Sequence, residues 1–263
     1  MALALILVVP AVIFLLVQFG SVILPPVKGL PVLMYHKVSD GANDHLTLSV
    51  QRLERQFRYL SEHGYTCLQL GQLIENKALK LPPRSVLLTF DDAYLNNLQY
   101  LYPLLQKYGF HATIMLPVGF IGKTNAWDKT NELLMNYDHL HAMDRRYVSF
   151  GLHTYGHIPF KTTPFADIAA DIEKCRQELH LHGIDYLPAL AYPYGSYPRE
   201  KGKKEEFFAL LNQSGISWGL RIGNRINNWP LKSRYEIKRI DIKGSDPFWI
   251  FKTKLKKGFV KRF

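Results

Sequence analysis

From residue 30 onward, short runs that are apolar on both faces alternate with segments whose apolar residues recur at helical spacing. Residues 31–36, 65–68, 86–90, 111–116, 147–152, 190–192, 216–220 and 235–240 read as strands, and Val86-Leu87-Leu88 has the two-sided apolar character of a covered sheet. Between them, 49–64 carries Leu53, Phe57 and Leu60 one helical turn apart, and 96–108, 165–182 and 205–213 continue the helical pattern. Gly64, Gly109, Gly183 and Gly215 stand where those helices should stop. Strands alternating with helices of this length predict βαβ units and a parallel sheet. An open doubly wound sheet usually carries a glycine-rich phosphate turn after its first strand, and this chain has none. The expected fold is therefore α/β, a deformed or incomplete (β/α) barrel, preceded by an N-terminal transmembrane helix.

That helix is expected from residues 1–26, which carry no charge and only two polar side chains, Gln18 and Ser21. Such a run is long enough to cross ~30 Å of hydrocarbon as a helix. It lacks the basic start of a secretory signal, and Phe19-Gly20-Ser21 is a poor cleavage site, so an uncleaved anchor is favoured over a cleaved leader. Three segments follow: the anchor at 1–26, one domain at 27–245, and a basic aromatic tail at 246–263.

Charge then narrows the partners. The net charge of +11 lies wholly outside the anchor. Lys252, Lys254, Lys256, Lys257, Lys261 and Arg262 interleave with Trp249, Phe251, Phe259 and Phe263 in the tail. By charge alone the tail suits nucleic acid, anionic lipid or an acidic envelope polymer, or is simply the solvated face of a last helix. Cys67 and Cys175 form neither a disulfide framework nor a metal-type spacing.

In a barrel, chemistry sits at the C-terminal ends of the strands. Polar residues gather there: Tyr35-His36, Asp91-Asp92, His153 to His157, and Pro193-Tyr194-Gly195. Adjacent carboxylates after an apolar strand repel each other, and a divalent cation relieves the conflict by taking one as ligand and leaving the other as base. By itself the Asp91-Asp92 pair is equally a helix N-cap before 96–108. Histidines four apart are common surface decoration, but Gly156 and Pro159 argue for a turn at a strand end. Two histidines with one carboxylate leave positions open to water, as catalytic metal sites do.

With these residues in place, the chain resembles the NodB-homology polysaccharide deacetylases (carbohydrate esterase family 4) over residues 30–242. Thr89-Phe90-Asp91-Asp92 matches the first family motif and His153-Thr154-Tyr155-Gly156-His157 the second. The resemblance implies that Asp91 is the catalytic base and that Asp92, His153 and His157 hold a divalent metal, zinc or alternatively cobalt or nickel. Ala191-Tyr192-Pro193-Tyr194-Gly195 keeps the Pro-Tyr-Gly of the third motif, which makes the Tyr194 N–H an oxyanion donor. Ala191 replaces the arginine that would orient the base, and Arg239 is the candidate stand-in. No histidine follows Asp241, whereas Val32-Leu33-Met34-Tyr35-His36 resembles the circularly permuted branch that deacetylates poly-N-acetylglucosamine. That branch makes His36 the general acid, and Tyr155 and Tyr194 are candidate sugar contacts.

The implied enzyme is a metal-dependent N-deacetylase of an N-acetylated polysaccharide, membrane-anchored and facing outward, with no nucleic-acid partner. An O-acetyl esterase, a deformylase on another envelope glycan, and a non-catalytic membrane-bound glycan-binding module are the competing readings.

Overall fold

The computed structural model describes residues 25–76, 79–128 and 130–260. The expected membrane helix, except for Pro25 and Pro26, lies outside the described residues, as do Lys261, Arg262 and Phe263 of the tail. Among the described residues no helix is long and apolar enough to cross a membrane.

Seven parallel strands close into a ring. They are β1 (Val32–Tyr35), β5 (Ser85–Asp91), β6 (Ala112–Leu116), β7 (Val148–Leu152), β8 (Ala189–Ala191), β9 (Trp218–Ile222) and β10 (Ile237–Asp241). Each pairs with the next from β5 to β10, and β1 shuts the barrel between β10 and β5 with Leu33 opposite both Ile240 and Leu88. The weakest seam is β7–β8, which is held by the single register pair Leu152–Leu190. The expected strand at 65–68 is only two residues, β4 (Thr66–Cys67), laid against the start of β5 outside the ring. Two further strands, β2 (Lys37–Ser39) and β3 (Thr47–Ser49), form a small pair after β1.

Side-chain alternation explains both layers of the core. Along β5, Val86, Leu88 and Phe90 point outward beneath the helices, while Leu87, Thr89 and Asp91 follow one another up the inside. The inner parity continues as Val32 and Met34, Thr113 and Met115, Ala189 and Ala191, Trp218 and Leu220, and Ile237 and Arg239. Space there is tight: a Cβ on Gly151 would stand 2.7 Å from the Met115 methyl carbon.

The helices cover the outside. In α1 (Val50–Glu62), Ser49 caps the first turn by accepting from Arg52 N, and Leu53, Phe57 and Leu60 are fully buried. The other helices are α2 (Leu70–Glu75), α3 (Tyr102–Tyr108), α4 (Tyr137–His141), α5 (Phe165–Leu181), α6 (Lys201–Gln213) and α7 (Phe248–Lys257). Most of the expected tail is thus a helix packed on the barrel: Phe248 and Phe251 meet the Tyr59 ring at 5.7 and 6.2 Å, and Ile250 and Leu255 are buried. No helix joins β9 to β10 among the described residues, which is where the barrel departs from regular alternation.

Candidate active site

The inner parity of three strands ends at one rim. Asp91 is the last residue of β5, His153 follows β7, and Arg239 lies near the end of β10. All three are buried against solvent at the mouth of the barrel. Together with Met34, Tyr192, Ile222 and Asp241 they line a cavity of about 340 Å³.

Backbone strain collects at this rim. Asp92, Ala93, Thr154, His157 and Tyr194 all hold positive φ between 52° and 72°, although none is glycine. Such conformations cost about 1–3 kcal/mol each and persist where the surroundings over-determine them. At Asp92 the turn swings the second carboxylate out of strand geometry and toward the histidines. At Thr154 and His157 it folds the loop so that both imidazoles face the same point.

The convergence is close. Asp92 Oδ1 lies 3.5 Å from His153 Nε2 and 3.5 Å from His157 Nε2. The ligand atoms of this buried trio lie within 4.8 Å of one another. Asp92 Oδ1 is buried with no hydrogen-bond partner, a costly condition that a cation between the three atoms would relieve. His153 Nδ1 is 2.9 Å from the Ala191 carbonyl, so Nδ1–H donates there and Nε2 presents its lone pair. Burial pushes the His153 pKa down to about 4, which keeps the imidazole neutral and able to ligate. His157 Nδ1 is 3.0 Å from the Tyr194 hydroxyl, and the Trp127 ring stacks on His157 at 4.3 Å. A buried carboxylate with two imidazoles fits a borderline divalent cation.

Asp91 lies beside this trio, its Oδ2 3.9 Å from His153 Nε2, but is paired elsewhere. Arg239 donates to both its oxygens, Nη1 to Oδ1 at 2.5 Å and Nη2 to Oδ2 at 2.7 Å. Burial works to raise the Asp91 carboxyl, but the Arg239 charge and its hydrogen bonds, helped by the nearby His153 and His36 rings, outweigh it and hold the group well below the usual carboxylate range. Burial likewise opposes ionisation of Asp92, where the neighbouring imidazoles of His157, His153 and His36 prevail and lower it. His36 Nε2 lies 3.9 Å from Asp91 Oδ2 across the cavity. Its backbone carbonyl accepts from Asn97 Nδ2 at 3.0 Å, in a π-helical turn (Asn97–Leu101) that leads into α3. Such bulges are frequent at functional positions.

The structure therefore brings together Asp91, Asp92, His153, His157, His36 and Tyr194, with Arg239 clamping Asp91. Tyr155 does not join them. Its ring packs over Gly119 and lies 5.8 Å from Lys174, away from the cavity. Sequence reasoning missed Trp127, Asp128, His45 and Leu46, which line the cavity from loops without periodicity. It also missed Asp171 of α5, whose buried carboxylate accepts from Tyr155 N at 2.7 Å and Gly156 N at 2.8 Å. Those two bonds pin the backbone between the histidines. Asp171 sits on the apolar stripe Ile168, Ile172, Cys175, and an acid in that phase was the available signal.

Comparison with known proteins agrees with this geometry. The family model described as polysaccharide deacetylase matches residues 78–210, half of the chain. The Bacillus subtilis protein YxkH is 27% identical over 179 residues, which cover 67% of this chain and 61% of that protein. The poly-beta-1,6-N-acetyl-D-glucosamine N-deacetylase of Staphylococcus epidermidis is 28% identical over 235 residues, 79% of this chain and 77% of that enzyme. The Escherichia coli enzyme of the same name is 35% identical over 98 residues, only 14% of its length. This chain thus spans about three-fifths or less of the length of some relatives it matches. Among solved structures, IcaB from Ammonifex degensii superposes with a TM-score of 0.72 at 21% identity, covering 88% of this chain and 98% of that one. The Streptococcus pyogenes deacetylase PplD in complex with acetate gives 0.69 at 21% identity, covering 87% and 99%. Those likenesses establish a shared fold. With the family model matched over half of the chain, the chain belongs to the polysaccharide deacetylase family.

Proposed function

We propose that this chain removes N-acetyl groups from an N-acetylhexosamine polysaccharide, with poly-β-1,6-N-acetylglucosamine as the substrate class. The observation that carries the reading is the partnerless Asp92 Oδ1 between two imidazole nitrogens, beside a second carboxylate kept ionised by Arg239. The relatives named for that polymer support the choice of substrate.

Asp92, His153 and His157 would hold a divalent cation, zinc or alternatively cobalt or nickel. When bound, it would polarise the acetamide carbonyl and acidify a water. Asp91 takes the proton of the attacking water, and the Arg239 fork keeps its carboxylate aimed into the cavity while excluding other rotamers. The backbone N–H of Tyr194 faces the developing oxyanion. His36, on the opposite wall, delivers a proton to the departing nitrogen, so that acetate and a free amine leave. Trp127 and the half-exposed Tyr194 ring offer faces to the sugar. Residues 1–26 complete the reading as an anchor that keeps the domain on the extracytoplasmic side, in the periplasm or at the cell surface, supported by their uncharged length.

The test is acetate release from N-acetylglucosamine oligomers before and after chelation. Loss of release on chelation and its return with zinc, cobalt or nickel are expected. Release from acetylxylan in preference to the oligomers would overturn the N-deacetylase reading, and full-length protein without bound metal and without turnover would favour a binding module.

A further inference from the structure

At the opposite end of the barrel from the catalytic rim lies a second groove of about 550 Å³. It is bounded by the N-terminal ends of two ring strands, at Pro31 before β1 and Ser85 at the start of β5. Its apolar lining comes from Pro26, Val27, Leu81, Trp229 and Leu255. Four cations border it, Lys28, Lys80, Arg84 and Lys256, all exposed, and no acidic residue lines it.

Two independent facts point to what covers it. The first is where the chain enters the structure. The described residues begin at Pro25, directly after 24 residues without a single charge, and Pro26 and Val27 form part of the groove itself. Val27 N donates to Lys256 O at 2.9 Å, so the entry point is pinned to the end of α7. Val27 remains half exposed despite being apolar. The second is charge. The last turn of α7 brings Lys256 to the groove beside Lys28 and Lys80, and Arg84 is anchored there by donating to the His63 carbonyl. An apolar floor under a ring of cations with no anions is complementary to an anionic amphiphile rather than to a peptide or a sugar.

We propose that this groove is the face on which the domain rests against anionic phospholipid headgroups. The inference rests on the anchor reading of residues 1–26 given above. Apolar side chains at the interface and lysines reaching phosphates would fix the barrel axis upright, with the catalytic cavity directed away from the bilayer.

The test uses the full chain in phosphatidylcholine nanodiscs with and without phosphatidylglycerol, and reads lysine acetylation by a soluble reagent with mass spectrometry. Lys28, Lys80 and Lys256 should be modified several-fold more slowly in the anionic discs. Lys201 and Lys203, exposed at the start of α6 on the catalytic side, should react equally in both. The protection should weaken at high salt, because the Debye length over which headgroups attract lysines shrinks from about 8–10 Å near 0.1 M to about 3 Å at 1 M. Equal reactivity of the three lysines in both discs, with the chain firmly embedded, would overturn the groove proposal and leave the anchor intact. A chain that fails to enter even the neutral discs would overturn the anchor and the groove together.

Discussion

At the scale of single residues, the site separates two carboxylates by one backbone turn and assigns them different partners. Asp91→Asn should leave the trio of Asp92, His153 and His157 intact, so metal content stays near wild type while acetate release falls by about 10²–10⁴-fold. His153→Ala should lower both, and elemental analysis beside a turnover assay distinguishes the two variants. The Arg239–Asp91 pair makes a sharper prediction, since both groups are buried and each is the other's compensation. Arg239→Met leaves an unpaired buried carboxylate and should cost about 3–5 kcal/mol in urea unfolding at neutral pH. Adding Asp91→Asn to that variant should recover much of the loss, and a simple sum of the two single effects would mean that the pair is not coupled. Burial keeps His111 and His153 neutral in the fold, with pKa values pushed down to about 4. Unfolded histidines bind a proton near pH 6.5, so below that the unfolded state holds more protons than the native one, and stability must fall as the pH is lowered toward 4. In metal-stripped protein the slope should reach up to about 1.4 kcal/mol per pH unit for each histidine, and His111→Leu should remove one share of it.

At the scale of elements, the loop that carries His153 and His157 depends on a helix outside the cavity. Asp171 of α5 accepts the two amides that lie between His153 and His157. Asp171→Ala should weaken metal binding by about 10–100-fold in competition with a chromophoric chelator, the usual cost of losing a group that orients ligands. Restoration by Asp171→Glu, but not by Asp171→Leu, would mark the hydrogen bonds rather than the packing as the cause. Strand ends were the legible part of this architecture. Apolar runs terminated by Asp91-Asp92 and His153 announced both the barrel and its rim, because inward parity must deliver a side chain to the mouth of a closed sheet. Arg239 could be named as a stand-in for the arginine missing at Ala191, but only the β10–β1–β5 order brings it to Asp91. Tyr155 was overvalued because it lies between His153 and His157 in sequence; with Asp171 holding its backbone, its ring turns toward Lys174 instead. Trp127 and His45 sit on loops with no period to read, so their place in the cavity depended on tertiary structure alone.

At the scale of the whole molecule, the expected tail proves to be part of the wall. Phe251 is 1% exposed and packs against Tyr59 of α1, so Phe251→Ala should destabilise the entire domain by about 3–5 kcal/mol in urea unfolding. A detached tail would tolerate the change without a measurable shift. The ring also closes through its first strand, since β1 lies between β5 and the last strand, β10, with Met34 beside Thr89 and Asp241. Arg239 consequently meets Asp91 across 148 residues of sequence. Contacts of such separation form late, because the entropy of closing the loop must be met before they stabilise anything. During synthesis Asp92, His153 and His157 are all present once β7 and its loop have emerged, but Asp171, the Ala191 carbonyl and Tyr194, which hold that loop and its rings, come later, and the clamp on Asp91 arrives only with β10. A nascent chain therefore carries the trio before it carries the groups that aim it, and completion of the last strand is what gives the cavity its final shape.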